Sequence, residues 1–390
     1  MKRILFLTFY YRPDLSAGSF RATELAKSLA AIGAGQVEVD VLTTLPNRYA
    51  SFSVDVPTHE ETLNLRIQRF AVPRHRSGML DQSKSFVTYA AHIFQTVSRR
   101  RYDLVFATSS RLMTAVLAAA VSQRLSAPLY LDIRDIFTET MEYLLEDSPY
   151  KSGLKLFKVL EAYAVKRAER VNLVSEAFRE YFAHIDPTKQ YRVYTNGIDD
   201  EFLSVSFENH HQNPRPLIVY AGNIGHGQGL HLIIPDAACR LKDKADILIV
   251  GDGSARPDLE KALLDVQADN VMIQPPVPRS QLIELYRRAD YLLLHLNSQA
   301  AFHRVLPSKI FEYAATLKPI LAGVAGYPRT FIVQHVPGAE VFDPCDVDGL
   351  IHAYDRLIRG PVPRQDFINQ FSRVNIVNAM ATDILETLHD

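Results

Sequence analysis

The chain has 390 residues, with 43 Lys and Arg against 44 Asp and Glu, a net charge of −1. That balance excludes a global attraction to nucleic acid, so any basic surface must be local. Two cysteines, Cys239 and Cys345, supply neither a disulfide framework nor a metal-ligand spacing, and suit a reducing cytoplasm.

From the start of the chain, the apolar run 4–9 is too short for a signal-peptide core and reads as a buried first strand. Residues 37–43, 66–71, 104–107, 129–133 and 171–174 repeat that pattern. Between the first two strands, Leu25, Leu29 and Ile32 recur at helical spacing over 20–32. The polar stretch 204–216, with two prolines, reads as an exposed linker; its His210-His211 pair lacks the partners of a metal site. Beyond it, strands are expected at 217–220, 247–250, 271–273, 291–294 and 319–322. Helices are expected at 231–241, 280–289 and 347–358. A last helix over 366–388 carries Phe367, Phe371 and Ile376 among its apolar positions. Strands alternating with helices predict an α/β protein of two halves, each a parallel sheet covered by helices. No apolar run approaches the length that spans a bilayer.

Several motifs fall on strand ends. Gly18, in Ala17-Gly18-Ser19-Phe20-Arg21, would let a ligand approach the backbone at a helix start, or serve a plain strand-to-helix turn. Asp132-Ile133-Arg134-Asp135 closes a strand; Arg134 and Asp135 there can orient a hydroxyl or form a structural ion pair. Tyr220-Ala221-Gly222-Asn223 opens a glycine-rich run to Gly229 that does not fit the dinucleotide fingerprint. Gly251-Asp252-Gly253 lies at a carboxyl edge, where ligands of open α/β sheets gather. Asp346-Val347-Asp348 has a D-x-D pattern, and the simpler account is that Asp346 caps the next helix.

The richest stretch is Pro307-Ser308-Lys309-Ile310-Phe311-Glu312-Tyr313. Lys309 and Glu312 share a helix face, and the helix N-terminus at Ser308 suits a phosphate. Lys309 adds a full positive charge, and Glu312 can accept hydrogen bonds from a ribose diol. These parts fit a sugar nucleotide; the plainer account is a solvated surface pair.

Read with the Ala314-Ala315 and Lys318-Pro319-Ile320-Leu321 that follow, this segment resembles the donor site of the retaining GT-B glycosyltransferases of family 4. The branch it is similar to builds bacterial surface polysaccharides and includes acetamidosugar transferases. The likeness runs through nearly the whole chain. It implies two Rossmann-like domains facing across a cleft, with the C-terminal helix crossing back. Residues 1–203 would bind acceptor, 204–365 the nucleotide-sugar donor, and 366–390 would pack on the first domain. Gly18, Gly222, Gly251, Ser308 and Lys309 would then line the donor, with Glu312 at its ribose and Val277 where the family's backbone reads the base. Asn223 and Gln228 stand where many members carry an arginine and a lysine that clamp the diphosphate. Arg304 stands where many carry a glutamate, and would meet phosphate or an acidic or acetamido group of the donor. Arg134 and Asp135 match an Arg-Asp motif of the branch, with Phe137 in place of its tryptophan, and join Lys309 as expected catalytic residues. Thr195-Asn196-Gly197-Ile198-Asp199 matches a structural junction.

The implied activity is metal-independent transfer of a hexosyl or acetamidohexosyl unit from a nucleotide-sugar, UDP-linked before GDP-linked, to a saccharide or a lipid-diphosphate-linked saccharide acceptor, without a cofactor. A UDP-sugar 2-epimerase of the same fold, or a non-catalytic nucleotide-sugar-binding protein, is the alternative. A cytoplasmic protein at the inner membrane face is expected. Arg66, Arg69, Arg74, Arg76, Lys84, Arg99, Arg100, Arg101 and Arg111 are opposed only by Asp81 and Asp103. With Phe86, Tyr89, Ile93, Phe94 and Val97 they suit an anionic membrane surface, unless that helix packs on its own sheet.

Overall fold

The computed structural model describes residues 1–47, 54–73, 79–109, 111–144, 153–207 and 213–388. Arg74, Arg76, His210 and His211 lie outside the described residues. The chain forms two compact units: Met1–Asn196 together with the segment from Val374, and Gly197–Arg373.

The first unit holds eight strands: β1 (Lys2–Leu7), β2 (Val37–Thr44), β3 (His59–Thr62), β4 (Leu65–Phe70), β5 (Leu104–Ser109), β6 (Leu129–Ile133), β7 (Arg170–Leu173) and β8 (Gln190–Val193). Their order is β3-β4-β2-β1-β5-β6-β7-β8. All neighbours are parallel except β3, which pairs antiparallel with β4 at the edge. The second unit holds β9 (Leu217–Ala221), β10 (Asp246–Val250), β11 (Val271–Gln274), β12 (Tyr291–His295), β13 (Ile320–Gly323) and β14 (Ala339–Phe342), ordered β11-β10-β9-β12-β13-β14. Central strands such as β5 and β12 are buried along their whole length, as parallel strands covered on both faces require. From β11 to β14 the second order is that of a Rossmann fold, and the first unit repeats it once β3 is set aside. In each, the connection reverses beside the first strand of the unit, β1 or β9. Loops leaving the carboxyl ends there diverge and open a binding crevice.

Two boundaries differ from expectation. The chain changes unit at 196/197 and 373/374, not at 203/204 and 365/366. Residues 197–203 are held in the second unit because Ile198 bridges Ser372 and Asp199 and Glu201 pair with Arg279. The expected helix over 366–388 is two, Gln365–Gln370 and Arg373–Glu386. It breaks where the Ile198 N–H bonds the Phe371 carbonyl at 2.8 Å and the Arg373 N–H bonds the Ile198 carbonyl at 2.9 Å. Phe367 and Phe371 pack on Phe311, with centroids 5.9 and 5.4 Å away, and so keep the shorter helix in the second unit. The later helix joins the first unit's core through Val377, Met380, Ala381 and Ile384, which pack with Leu25, Ala26 and Leu29. Asp383 locks it by accepting from Arg170 at 2.8 Å and Tyr130 at 2.7 Å.

The apolar positions of the expected membrane face are mostly buried within the first unit, while Lys84, Arg99, Arg100 and Arg101 remain exposed. In the helix Met79–Val97, Phe86, Tyr89, Ile93 and Val97 are buried, and Tyr89 donates to the Leu42 carbonyl at 2.8 Å. Arg69 pairs with Glu60 and Arg100 with Asp40. Val87 and Phe94 remain exposed on that helix. Apolar side chains at helical spacing here serve the helix–sheet interface, where more area is removed from water. Among the described residues, no helix is long and apolar enough to cross a membrane.

Candidate donor and acceptor sites

In the second unit, the loop leaving β9 and the helix Lys309–Ala315 meet at the reversal point. Gly222 sits at φ +145°, and a Cβ there would fall 2.2 Å from Lys309 Cε and 2.4 Å from Nζ. Glycine is therefore what gives Lys309 its place. The ammonium lies 4.9 Å from the Tyr220 ring centroid, a cation–π contact that offsets part of its lost hydration. Lys309 is only partly exposed. Burial pushes its pKa down to about 8, against a smaller upward pull from Glu312. Ser308 precedes the helix, and its side chain makes no capping bond.

Gly251 supports Gly222 from below: a Cβ on Gly251 would lie 1.8 Å from the Gly222 carbonyl oxygen. Its need for glycine is thus close backbone packing. Asn223 and Gln228 engage each other. Asn223 Nδ2 donates to Gln228 Oε1 at 2.7 Å, and the Gly225 N–H donates to the same oxygen at 3.2 Å. Two amides close the loop on itself where the family's charged clamp would stand. Val277 is half-buried before the helix Arg279–Arg288, and Arg304 is half-buried at the end of the turn Ala300–His303. Asp346 caps the helix Val347–Arg356, accepting from the Gly349 N–H at 3.0 Å, as the simpler account of its D-x-D pattern expects.

Glu312 is not a lone acceptor. Its Oε1 accepts from Arg279 Nη1 at 3.1 Å. Arg279 also binds Glu201 at 3.0 Å and Asp199, and lies 4.6 Å from the Phe202 ring centroid. Sequence reasoning passed over Arg279. One signal was available: an arginine in the first turn of a helix opposes the helix dipole, so acidic partners had to be near.

His295, at the end of β12, is a second omission. Its Nδ1 donates to the Gln228 carbonyl at 2.6 Å, and its Nε2 accepts from the Cys345 N–H at 2.9 Å, so the ring is neutral with the proton on Nδ1. Burial pushes its pKa down to about 4. The folded state thus disfavours protonation, and the unfolded chain binds the extra proton between pH 6.5 and 4. Stability is full above about pH 6.5 and is lost toward pH 4, by about 3 kcal/mol if His295 acts alone. Urea unfolding at pH 7 and 4.5 measures this. His295→Gln should flatten the difference; an unchanged difference would remove His295 as its source.

In the first unit, Gly18 in the first turn of the helix Ala17–Ile32 and Arg134 just past β6 are brought together. A Cβ on Gly18 would lie 3.6 Å from Arg134 Nε. Ser16 caps the helix Ala17–Ile32, accepting from the Ser19 N–H at 3.2 Å. Arg134 reaches Asn196 Oδ1 at 3.5 Å, and Asp135 is exposed beside it. Behind them lies a fully buried pair. Arg21 Nε and Nη2 donate to the two Asp132 oxygens at 3.0 and 3.1 Å, and Thr108 and Asn172 donate to the same carboxylate at 2.9 and 2.7 Å. Burial alone would raise the Asp132 pKa; Arg21's charge and hydrogen bonds outweigh it and hold the carboxyl below its usual value.

Two units of Rossmann order, one with a lysine seated against a glycine loop at its reversal point, define the GT-B class. Residues 18–197 match the family described as a glycosyl transferase 4-like domain, and residues 204–373 match the glycosyl transferases group 1. The first half of the chain thus matches one glycosyl transferase family and the second half another, on the fold of the GT-B glycosyltransferases. It is similar to the putative colanic acid biosynthesis glycosyl transferase WcaI of Escherichia coli K12, 36% identical over 177 residues. That match spans 44% of this chain and 43% of WcaI, less than half of either. A trehalose-phosphate synthase of Burkholderia xenovorans shares the fold at TM-score 0.70 and 13% identity, covering 100% of both chains. HepE of Anabaena, solved with UDP-glucose, shares it at TM-score 0.65 and 17% identity, covering 99% of this chain and 100% of that one.

Proposed function

We propose that the protein is a retaining glycosyltransferase that moves a sugar from a UDP-sugar to a saccharide acceptor carried on a lipid diphosphate, in bacterial surface-polysaccharide synthesis. The observation that carries this is Lys309, a half-buried ammonium held against Gly222 where the loops of the second unit diverge. An ammonium kept at the cost of its hydration suits an anionic ligand. The HepE complex supports UDP as the nucleotide and WcaI the pathway class.

In this reading Lys309 meets the diphosphate and Glu312 the ribose. As the bond from the anomeric carbon to the phosphate oxygen breaks, negative charge grows on the β-phosphate, where preorganised Lys309 stabilises it. The acceptor hydroxyl bonds the anomeric carbon from the same face, and its proton passes to the departing phosphate oxygen. Gly18 and Arg134 belong to the first unit's substrate site, and exposed Asp135 orients the acceptor hydroxyl. The scheme needs neither metal nor cofactor. Nucleotide release from a panel of UDP- and GDP-sugars, with and without lipid-linked acceptor, tests it. Acceptor-dependent UDP release is expected; release without acceptor, or conversion of the UDP-sugar without release, would overturn it.

A further inference from the structure

We propose that Arg279 is a positioning residue that sets Glu312 to read the ribose, and so makes the donor site discriminate ribonucleotides from deoxyribonucleotides. The inference rests on Glu312 as the ribose acceptor. A guanidinium presents its donors in a rigid planar fork. Arg279 uses all three of its nitrogens on separate carboxylates: Nε on Glu201 Oε2, Nη2 on Asp199 and Nη1 on Glu312 Oε1. Its position is fixed from behind. Asp199 Oδ1 also lies 2.5 Å from Arg373 Nε in an ion pair without hydrogen-bond geometry, and Arg373 Nη2 donates to the Gly197 carbonyl at 2.8 Å. The result is an alternating chain of charge, Arg373–Asp199–Arg279–Glu312, within one unit.

The consequence falls on the second carboxylate oxygen. With Oε1 held by Arg279, the plane of the Glu312 carboxylate is set, and among the described residues no hydrogen bond reaches Oε2. The Glu312 side chain is only 14% exposed, yet Oε2 is not among the buried unpaired atoms, so it stays open to a ligand. An ionised carboxylate oxygen accepts from two donors, which matches the adjacent 2′ and 3′ hydroxyls of a ribose. Without Arg279, Glu312 could turn and would lose this preorganisation.

The test compares binding of UDP and 2′-deoxy-UDP by isothermal titration in the wild type, Glu312→Gln, Arg279→Lys and Glu201→Ala. One hydrogen bond to a charged acceptor corresponds to a wild-type preference for UDP of about tenfold. Glu312→Gln should bring that ratio near unity. In Arg279→Lys one ammonium cannot span three carboxylates, so the ratio should fall severalfold, with UDP losing more affinity than 2′-deoxy-UDP. Glu201→Ala, at a partly exposed position, tests the same point without threatening the fold and should lower the ratio by a smaller factor. If Glu312→Gln loses the preference while Arg279→Lys and Glu201→Ala keep it, Arg279 only ties the chain together and the proposal fails. An unchanged ratio in Glu312→Gln would instead remove Glu312 from the ribose, and with it the basis for the inference.

Discussion

Lys309→Met is expected to lose sugar transfer by two to three orders of magnitude, about 3–4 kcal/mol of transition-state stabilisation, and yet to melt at a higher temperature than the wild type. Both effects follow from its surroundings. The folded-state pKa of Lys309 lies near 8, below its ordinary 10.5. Between those values the unfolded chain binds more protons, so the wild type gains stability as pH rises through this window and bears the charge at pH 7. The penalty there is about 3 kcal/mol as an upper bound. Methionine keeps the stem against Tyr220 and removes the charge. A diphosphate should restore the ammonium, so UDP binding near pH 9 should take up a proton and weaken by about tenfold per pH unit above 8. Titrations in buffers of different ionisation enthalpy measure that uptake. If Lys309→Met retains the same proton uptake, or if it melts lower while remaining active, the assignment of Lys309 to the diphosphate is wrong.

The second large effect is structural. Arg21→Ala should destabilise the first unit by about 3–5 kcal/mol, because it leaves Asp132 buried and uncompensated. It would also free the carbonyls of Tyr194 and Thr195, which Arg21 holds at 2.8 and 2.6 Å. The pH dependence identifies the cause. Without Arg21, burial raises the Asp132 pKa above its unfolded value, so the variant's stability is greatest at low pH and falls as pH rises. Its deficit relative to wild type should therefore be smaller at pH 5 than at pH 8, as read by denaturant midpoints. Adding Asp132→Asn should recover part of the loss at pH 8 and leave the deficit nearly independent of pH. A single-variant deficit that does not change between pH 5 and 8 would place the damage elsewhere.

How far the sequence alone reaches depends on the range of the forces involved. The central strands were legible because burial on both faces demands a continuous apolar run, as in Leu129–Ile133, which sits at its expected position. The strands that escaped, His59–Thr62, Gln190–Val193 and Ala339–Phe342, lie at sheet edges and are only partly buried, so no such run marks them. That Ser308, Lys309 and Glu312 stand together at a helix start was legible because helix spacing is a local property, while their assignment to a donor came from the family resemblance. Asp346 as a helix cap was legible for the same local reason.

Tertiary structure decided the rest. Arg21 and Asp132, or Arg279 and Glu312, stand far apart along the chain, and only closure of each sheet chooses among many possible charge partners. Asn223 and Gln228 are near neighbours, but whether two amides face a ligand or each other depends on the backbone path between them. The break near Phe371 comes from Ile198, which interrupts a segment whose own sequence favours helix. Glycine at 222 and lysine at 309 could each be named from the sequence as site candidates. That one must be glycine because the other's ammonium fills the space of its missing Cβ is a fact of packing, and packing is set by the whole unit at once.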